Sequence, residues 1–468
     1  MIRYILKRIL IFLPTLFVIS FIAFWLGKIA PGDPVDSRAP AGDSKFEITG
    51  KVYQETYEQM GLDKPTFYIA FSSIAYPDTL FKIPGRYRQE NLSKLIAQYG
   101  NWEEIQIYNA NLEFFCNRIE DLPEGVDKDK KIKIRRAAYM LLEEHKDPKI
   151  NSHLQEINNN IFGKPDSLLQ AKLGLLAQKI NDNYAAIKSR ATKYKCYIPA
   201  IKWQGFDNQY HHWVLAFLKG DFGISYRSRQ PVLDRIKTPI SWTLIINAMV
   251  ISLVFILAIP LGVFSAVKKD SLVDKVITTG LFFLYSLPSF WIGTMLLVFF
   301  TNPEYGMNWF EGAGLGSLSA TAPFWDRFWE TIGHLILPVF CLTYGSLAFV
   351  SRQVRGSVLN VLNLDYIRTA RAKGLAGRHV IWKHAFRNSL FPLITMFARI
   401  LPAAIAGSVL VEVIFNIPGM GREVFTAITA KDWPVLYTIL MLVAILTMLG
   451  NLLADILYAY ADPRVKFK

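Results

Sequence analysis

Long apolar runs occupy both ends of the 468-residue chain, and a mostly polar block from about residue 28 to residue 240 separates them. A helix needs about 20 apolar residues to cross a bilayer. Runs of that order lie at about residues 9–27, 242–267, 276–300, 332–350, 391–411 and 435–460. Each must be helical, because an open strand would leave backbone groups without hydrogen bonds in hydrocarbon. The pattern therefore predicts an all-α integral membrane protein with six transmembrane helices.

The polar block has a helical pattern of its own. Amphipathic stretches lie near residues 89–118, 131–145, 149–162 and 166–190, with loop signals between them. They predict a small helical domain between the first two spans. We therefore divide the chain into an N-terminal transmembrane helix (1–27), an extramembrane region (28–240) and a five-helix membrane core (241–468).

Basic residues cluster at alternate ends of the predicted spans, which indicates their orientation because such residues are enriched on the cytoplasmic side. The two loops on the other side, residues 301–331 and 412–434, contain only Arg327, Arg422 and Lys431 as basic residues. Both termini are therefore predicted to be cytoplasmic and the polar block periplasmic. The cytoplasmic set is Arg3, Lys7, Arg8, Lys268, Lys269, Lys275, Arg352, Arg355, Arg368, Arg371, Lys373, Arg378, Lys383, Arg387, Arg464, Lys466 and Lys468.

The net charge of +14 is a feature that nucleic-acid-binding proteins share. Here the polar block is close to neutral, and the excess lies largely on the predicted cytoplasmic loops. Anionic membrane lipid accounts for such a distribution. We therefore expect contact with membrane lipid and no binding of nucleic acid.

The three cysteines have no CxxC or His-flanked spacing, so we expect no metal site. Cys116 and Cys196 both lie in the polar block and could form a disulfide outside the cytoplasm, or remain two packed thiols. The sequence also has no constellation typical of a membrane hydrolase. No catalytic residue is predicted.

The loop between the fourth and fifth spans, about residues 351–389, has the pattern of two short helices joined by a glycine turn. Asn363 or Asp365 can cap the first helix, and Gly374 can end it by adopting a positive φ. The second helix would begin near Arg378. The segment is rich in charge, as expected of a loop on the cytoplasmic face.

This loop resembles the EAA loop of ABC importer permeases, in the form found in the dipeptide, oligopeptide and nickel family. The resemblance implies that the first helix docks on an ATP-binding subunit, with Ala370 and Gly374 as small residues that permit close approach. Arg368 and Thr369 replace the Glu and Ala of the general motif, a replacement common in this family. A basic amphipathic helix lying on lipid headgroups is the alternative. The implied coupling residues are Asp365, Arg368, Thr369, Ala370, Ala372, Gly374 and Leu375.

The resemblance extends over nearly all of the apolar chain. It implies the permease subunit of an ATP-driven, binding-protein-dependent importer in the bacterial inner membrane, with di- or oligopeptides as the expected substrate and nickel or another small solute as the alternative. The implied partners are a second homologous permease, two ATP-binding subunits and an extracytoplasmic substrate-binding protein. No GxxxxGK[ST] loop occurs in the sequence, so ATP is expected on the partners and no cofactor on this chain. The similar blocks are residues 219–223, 228–231, 286–293, 410–422, 431–434, 451–458 and 462–464.

Two further features bear on function. Relative to the family, about residues 72–209 form an insert. A turn containing Asn416, Pro418, Gly419 and Gly421 is expected on the external face, either at the mouth of the pathway or as a structural hairpin.

Arg399 lies within the fifth predicted span, where a guanidinium is costly. It is predicted to line the pathway, with an ion pair to Asp455 or snorkelling to the interface as alternatives. An ion-coupled secondary transporter is the rival class of function, but such proteins usually carry inverted repeats and intramembrane acids. The predicted spans contain almost no acidic residue besides Asp455, and no internal repeat is evident.

Overall fold

The computed structural model describes residues 2–30, 35, 50–123, 127–163, 167–319, 321–389, 393 and 407–461. The chain forms two compact units. We call Met1–Ala30 with Phe222–Lys468 the membrane unit, and Pro31–Asp221 the polar unit.

The described elements follow one another in this order: α1 (Ile2–Ile29), α2 (Gly50–Gln59), β1 (Ile69–Ser73), α3 (Arg86–Tyr99), α4 (Trp102–Glu120), α5 (Lys128–Leu142), α6 (Asp147–Phe162), α7 (Ser167–Ser189), β2 (Pro199–Trp203), α8 (Gln209–Leu218), α9 (Val232–Val267), α10 (Leu272–Ser286), α11 (Ser289–Thr301), α12 (Phe324–Leu362), α13 (Asp365–Ala372), α14 (Gly377–His379), α15 (Val409–Ile414), α16 (Met420–Thr429) and α17 (Trp433–Ala461). Short 3₁₀ turns occur at Leu80–Lys82 and Lys193–Tyr197, and a π-helical segment, Val380–Phe386, continues α14.

Four described helices are long and apolar enough to cross a membrane: α1, α9, α12 and α17. Helices α10 and α11 form a fifth candidate, which is bent by 90° within the predicted span 276–300. Pro288 precedes α11 at this break and cannot donate a helical hydrogen bond. The predicted span 391–411 lies mostly outside the described residues. These helices confirm a mostly helical, multi-pass membrane protein, and the count of six stays a prediction.

Helices α9 and α12 pack together as the centre of the membrane unit. Buried Ile246, Val250 and Val254 recur at four-residue intervals on α9, and buried Val354 and Val358 do so on α12. Residues four apart lie on one face of a helix, so each helix presents a continuous apolar ridge to the other. Both helices begin earlier than predicted, because charged residues near their starts, such as Asp234 on α9 and Asp326 on α12, interrupt the apolar pattern.

The polar unit has a core of its own, built from α3 to α7. Ile96, Ile105 and Phe115 are fully buried in it. The predicted helix 89–118 is two helices, because Gly100 ends α3 with a φ of 77°. The side chain of Asn101 donates to the carbonyl oxygens of Ile187 and Arg190 at 3.0 and 3.2 Å. These bonds give hydrogen-bond donors to carbonyl groups at the end of α7, which have no partner within the helix.

The polar unit also contains a two-stranded antiparallel sheet that the sequence analysis missed. Ile69 pairs with Trp203 at one end, and Ser73 pairs with Pro199 at the other. Both cysteines of this unit are free thiols, so the possible disulfide is not formed. Cys116 is buried, which raises the pKa of its thiol to about 12, and Cys196 donates to the carbonyl of Ile96 at 3.2 Å.

Candidate functional site

Helix α13 carries the predicted coupling residues and ends at a glycine turn. Gly374 has a φ of 74°, which confirms the positive φ expected from the sequence. Its N–H donates to the carbonyl of Arg371 at 3.0 Å. A Cβ added at Gly374 would meet no atom within 4 Å. The backbone conformation alone, and not crowding by any described residue, therefore requires glycine here.

The start of α13 differs from the prediction. Leu364 is its N-cap residue, and no side chain caps the helix. Asn363 instead ends α12, and Asp365 is already the first residue of α13. The expectation that Asn363 or Asp365 caps this helix is therefore wrong, because Asn363 is the C-cap of α12 and Asp365 lies within α13.

One face of α13 is buried within the chain. Ile367 and Ala370 are 0% and 8% exposed and belong to a cluster with Val361, Val380 and Ala385. Ala370 thus permits close approach between α13 and the chain's own π-helical segment, where the resemblance implied approach to a partner. The other predicted coupling residues are exposed: Asp365, Arg368, Thr369, Ala372, Gly374 and Leu375.

The exposed face of α13 is basic. Arg368 lies 3.6 Å from Asp365, but their side chains are 74% and 96% exposed, and such surface ion pairs contribute little. Arg371 and Lys373 are exposed and form no ion pair with any described residue. This face therefore offers positive charge to a binding partner.

The predicted external turn is organised around the buried carboxylate of Glu412, which is 4% exposed. Its oxygens accept from the backbone N–H groups of Ser408 at 3.1 Å and Arg422 at 2.9 Å, and from Thr243 Oγ1 at 3.4 Å. The Thr243 hydroxyl oxygen accepts from the Met420 N–H at 2.8 Å. Burial raises the pKa of the Glu412 carboxyl, and the backbone donors offset only part of that effect. Nothing in the local sequence pattern predicts this role for Glu412.

The turn glycines Gly419 and Gly421 are needed for space, since neither has a positive φ. A Cβ on Gly419 would lie 2.5 Å from the carboxyl carbon of Glu412, and one on Gly421 would lie 2.6 Å from the backbone nitrogen of Val409. Asn416 supplies the positive φ, at 53°. Pro418 is half-buried and Asn416 is exposed. The structure thus shows a tightly wrapped turn whose rigidity depends on its two glycines.

A buried ion-pair network lies close to this turn. Arg235 donates to Glu423 at 2.5 Å and to Asp432 at 2.9 Å. Asp432 is fully buried and also accepts from Ser225 Oγ at 2.5 Å and from the Tyr226 N–H at 2.9 Å. Burying such charges is costly unless each is paired. The network therefore fixes α9, α16 and the start of α17 together, and only its three-dimensional arrangement identifies it.

The proposed partner of Arg399 is already engaged elsewhere. Asp455 on α17 pairs with Arg8 on α1 at 3.0 Å, and it accepts from the Tyr4 hydroxyl at 2.8 Å. These contacts join the first and last described spans. Arg399 itself lies outside the described residues, so its place in the pathway stays a prediction.

Comparison with known proteins decides the family. Residues 258–467 match the family model described as "Binding-protein-dependent transport system inner membrane component". The oligopeptide transport system permease protein AppB of Bacillus subtilis (strain 168) is 39% identical over 260 residues, which cover 55% of this chain and 80% of AppB. The dipeptide transport system permease protein DppB of Escherichia coli (strain K12) is 35% identical over 274 residues, 56% of this chain and 81% of DppB. The chain belongs to this permease family.

The permease is longer than these relatives, since one alignment covers 80% of AppB but only 55% of this chain. Membership makes it an inner-membrane transport component and not itself an enzyme. It supports neither of the two alternative classes, the secondary transporter and the membrane hydrolase. A chain of the MetNI methionine ABC transporter, in an inward-facing conformation, is 16% identical. It covers 48% of the permease and 94% of its own length with a TM-score of 0.38, a likeness too weak to support an argument.

Proposed function

We propose that the chain is a membrane-spanning permease subunit of an ATP-driven, binding-protein-dependent importer of di- or oligopeptides. The observation that carries this proposal is the 39% and 35% identity to an oligopeptide and a dipeptide permease over about four fifths of each relative. The expected complex contains a second homologous permease, two ATP-binding subunits and an extracytoplasmic substrate-binding protein.

Helix α13 is the proposed contact with an ATP-binding partner. Its exposed, basic face and its glycine turn support this role, since movement of a rigidly held short helix can transmit a change from partner to membrane core. The buried residues Ile367 and Ala370 hold α13 on the π-helical segment. ATP-driven motion of the partners would therefore move both segments together and alternate access to the pathway.

The proposed topology has six spans, with cytoplasmic termini and a periplasmic insert at about residues 72–209. The distribution of basic residues supports it. Lys133 is exposed in the polar unit and lies on α5, so Lys133→Cys is suited to labelling. An impermeant thiol reagent should label it from the periplasmic side, and labelling only after the inner membrane is breached would contradict this topology.

Arg399 and the turn of Asn416, Pro418, Gly419 and Gly421 are proposed to border the pathway. For Arg399, the test is Arg399→Gln, which should alter transport while the complex still assembles. Because Asp455 already pairs with Arg8, adding Asp455→Asn should not restore a function lost at Arg399. Such a restoration would support a structural ion pair instead.

Uptake of a labelled dipeptide by the reconstituted complex tests the function itself. Uptake should require ATP and the binding protein together. Uptake driven by an ion gradient without ATP would refute the proposal, and ATP-dependent uptake of nickel but of no peptide would refute the substrate class.

Matched glycine variants test the coupling role. Gly374 and Gly377 both have open space around an added Cβ, but only Gly374 has a positive φ. A left-handed conformation costs a non-glycine residue about 1–2 kcal/mol. Gly374→Ala should therefore reduce peptide-coupled ATP turnover, whereas Gly377→Ala should not. Equal, unchanged turnover in both variants would exclude α13 as the coupling element even if peptide transport itself is established.

A further inference from the structure

A groove of about 980 Å³ lies between the end of α9 and the segment that follows α13. Val263, Phe264 and Val267 form its apolar wall. The opposite wall comes from α14 and the π-helical segment and includes Arg378, Trp382 and Lys383. The groove therefore has one apolar side and one cationic side.

The cationic side has no acidic counterpart in the chain as described. Arg378 and Lys383 are exposed, and neither forms an ion pair with any described residue. The same wall carries His379 and no carboxylate among the lining residues. Charge complementarity thus calls for an anionic ligand.

The apolar wall belongs to the end of a membrane span. Helix α9 is an apolar candidate span of mean hydropathy 2.7, and Lys268 and Lys269 follow its last residue directly. Phe264 is 54% exposed and Val267 41%, which is expected of side chains that face lipid tails. The groove lies where an apolar span gives way to basic residues, the level at which phospholipid headgroups are found.

We propose that this groove binds an anionic phospholipid. Arg378 and Lys383 contact its phosphate, and its acyl chain lies along Phe264 and Val267. The exposed Trp382 side chain, 40% exposed, sits at the boundary as indole rings commonly do. None of the α13 residues proposed to contact an ATP-binding partner lines the groove. The lipid site is therefore separate from the coupling face.

A paired-variant experiment on the purified complex tests the proposal. Phosphatidylglycerol retained after detergent washing is measured by native mass spectrometry, with phosphatidylcholine as the neutral probe. Arg378→Gln with Lys383→Gln should lower phosphatidylglycerol affinity about 30-fold or more, as expected for the loss of two direct, charge-assisted contacts to its phosphate. Lys268→Gln with Lys269→Gln removes the same charge at exposed positions that do not line the groove, and it should change affinity less than about threefold. Phosphatidylcholine binding should be unchanged in both.

An equal loss in the two double variants would overturn the proposal, because it would indicate general surface charge. So would displacement of the lipid by millimolar inorganic phosphate, which would indicate a free-anion site. A photoreactive p-benzoylphenylalanine in place of Trp382 gives a second measurement that retains both cations. Cross-linking to phospholipid supports the site, whereas cross-linking to another subunit shows that protein covers the groove and overturns it. Neither measurement involves peptide or ATP, so the result is independent of the proposed transport function.

Discussion

Replacing Gly419 with alanine should destabilise the turn that encloses Glu412. The φ of Gly419 is −106°, which alanine adopts readily. The added Cβ, however, would lie 2.5 Å from Oε2 and 2.8 Å from Oε1 of Glu412. Since real Cβ atoms do not approach so closely, the carboxylate has to move.

The loss of stability in Gly419→Ala follows from the hydrogen bonds that hold the Glu412 carboxylate. Moving it breaks hydrogen bonds from the N–H groups of Ser408 and Arg422. A buried hydrogen-bonding group left without its partner costs about 1–3 kcal/mol, and overpacking a filled site costs a similar amount. With partial relaxation of the turn, we expect a total loss of about 2–4 kcal/mol.

Thermal unfolding of the purified complex measures this loss. Gly312→Ala is the matched control, because Gly312 has no positive φ and no atom within 4 Å of an added Cβ. The apparent Tm of Gly419→Ala should fall by several degrees below that of the control. In a Glu412→Ala background, Gly419→Ala should lower the apparent Tm by almost nothing. Equal Tm values for the two glycine variants, or an undiminished penalty without the carboxylate, would refute the steric explanation.

Three further predictions follow from other ion pairs. Asp455→Asn should reduce recovery of the folded chain, and Arg8→Gln should add little in that background; additive losses would show that the pair at 3.0 Å is unimportant. Asp432→Asn should destabilise the chain by about 3–5 kcal/mol because it leaves a buried network incomplete, whereas Asp234→Asn, at an exposed ion pair, should be nearly silent in the same unfolding assay. Burial opposes ionisation of Asp147, but hydrogen bonds from Tyr184, Lys188 and Tyr99 outweigh it and lower the pKa of its carboxyl. Stability gained above the unfolded pKa is therefore lost as the pH falls below about 4. The hydrogen-exchange protection factors of α6 and α7, which correct for the intrinsic exchange rate, should fall there, and Asp147→Asn should remove that pH dependence.

The sequence predicts best what depends on local composition. Helices α1, α9, α12 and α17 contain the predicted apolar runs because hydropathy alone requires them. Their charged ends are harder to predict, because Arg235 is the fourth residue of α9 but lies outside the apolar run that marks the helix. The glycine turn at Gly374 was also predictable, since a positive φ is a local requirement.

Contacts between distant residues could not be predicted in this way. Asp455 pairs with Arg8 across almost the whole chain, and nothing near Asp455 indicates that partner. The strands β1 and β2 are five residues each, too short to stand out from their surroundings. The motif around Gly419 was visible, but that its glycines make room for Glu412 depends on how the chain folds back on itself.

The pairing of β1 with β2 brings the two ends of the long insertion together. Ser73 and Pro199 are register partners, so the chain leaves and returns at nearly the same point. The length between them then has no effect on the spacing of the flanking segments. A short hairpin turn would join the same two strands, and domains inserted at such adjoining points are well tolerated. The inserted helices can therefore gain or lose residues without pulling the two strands apart.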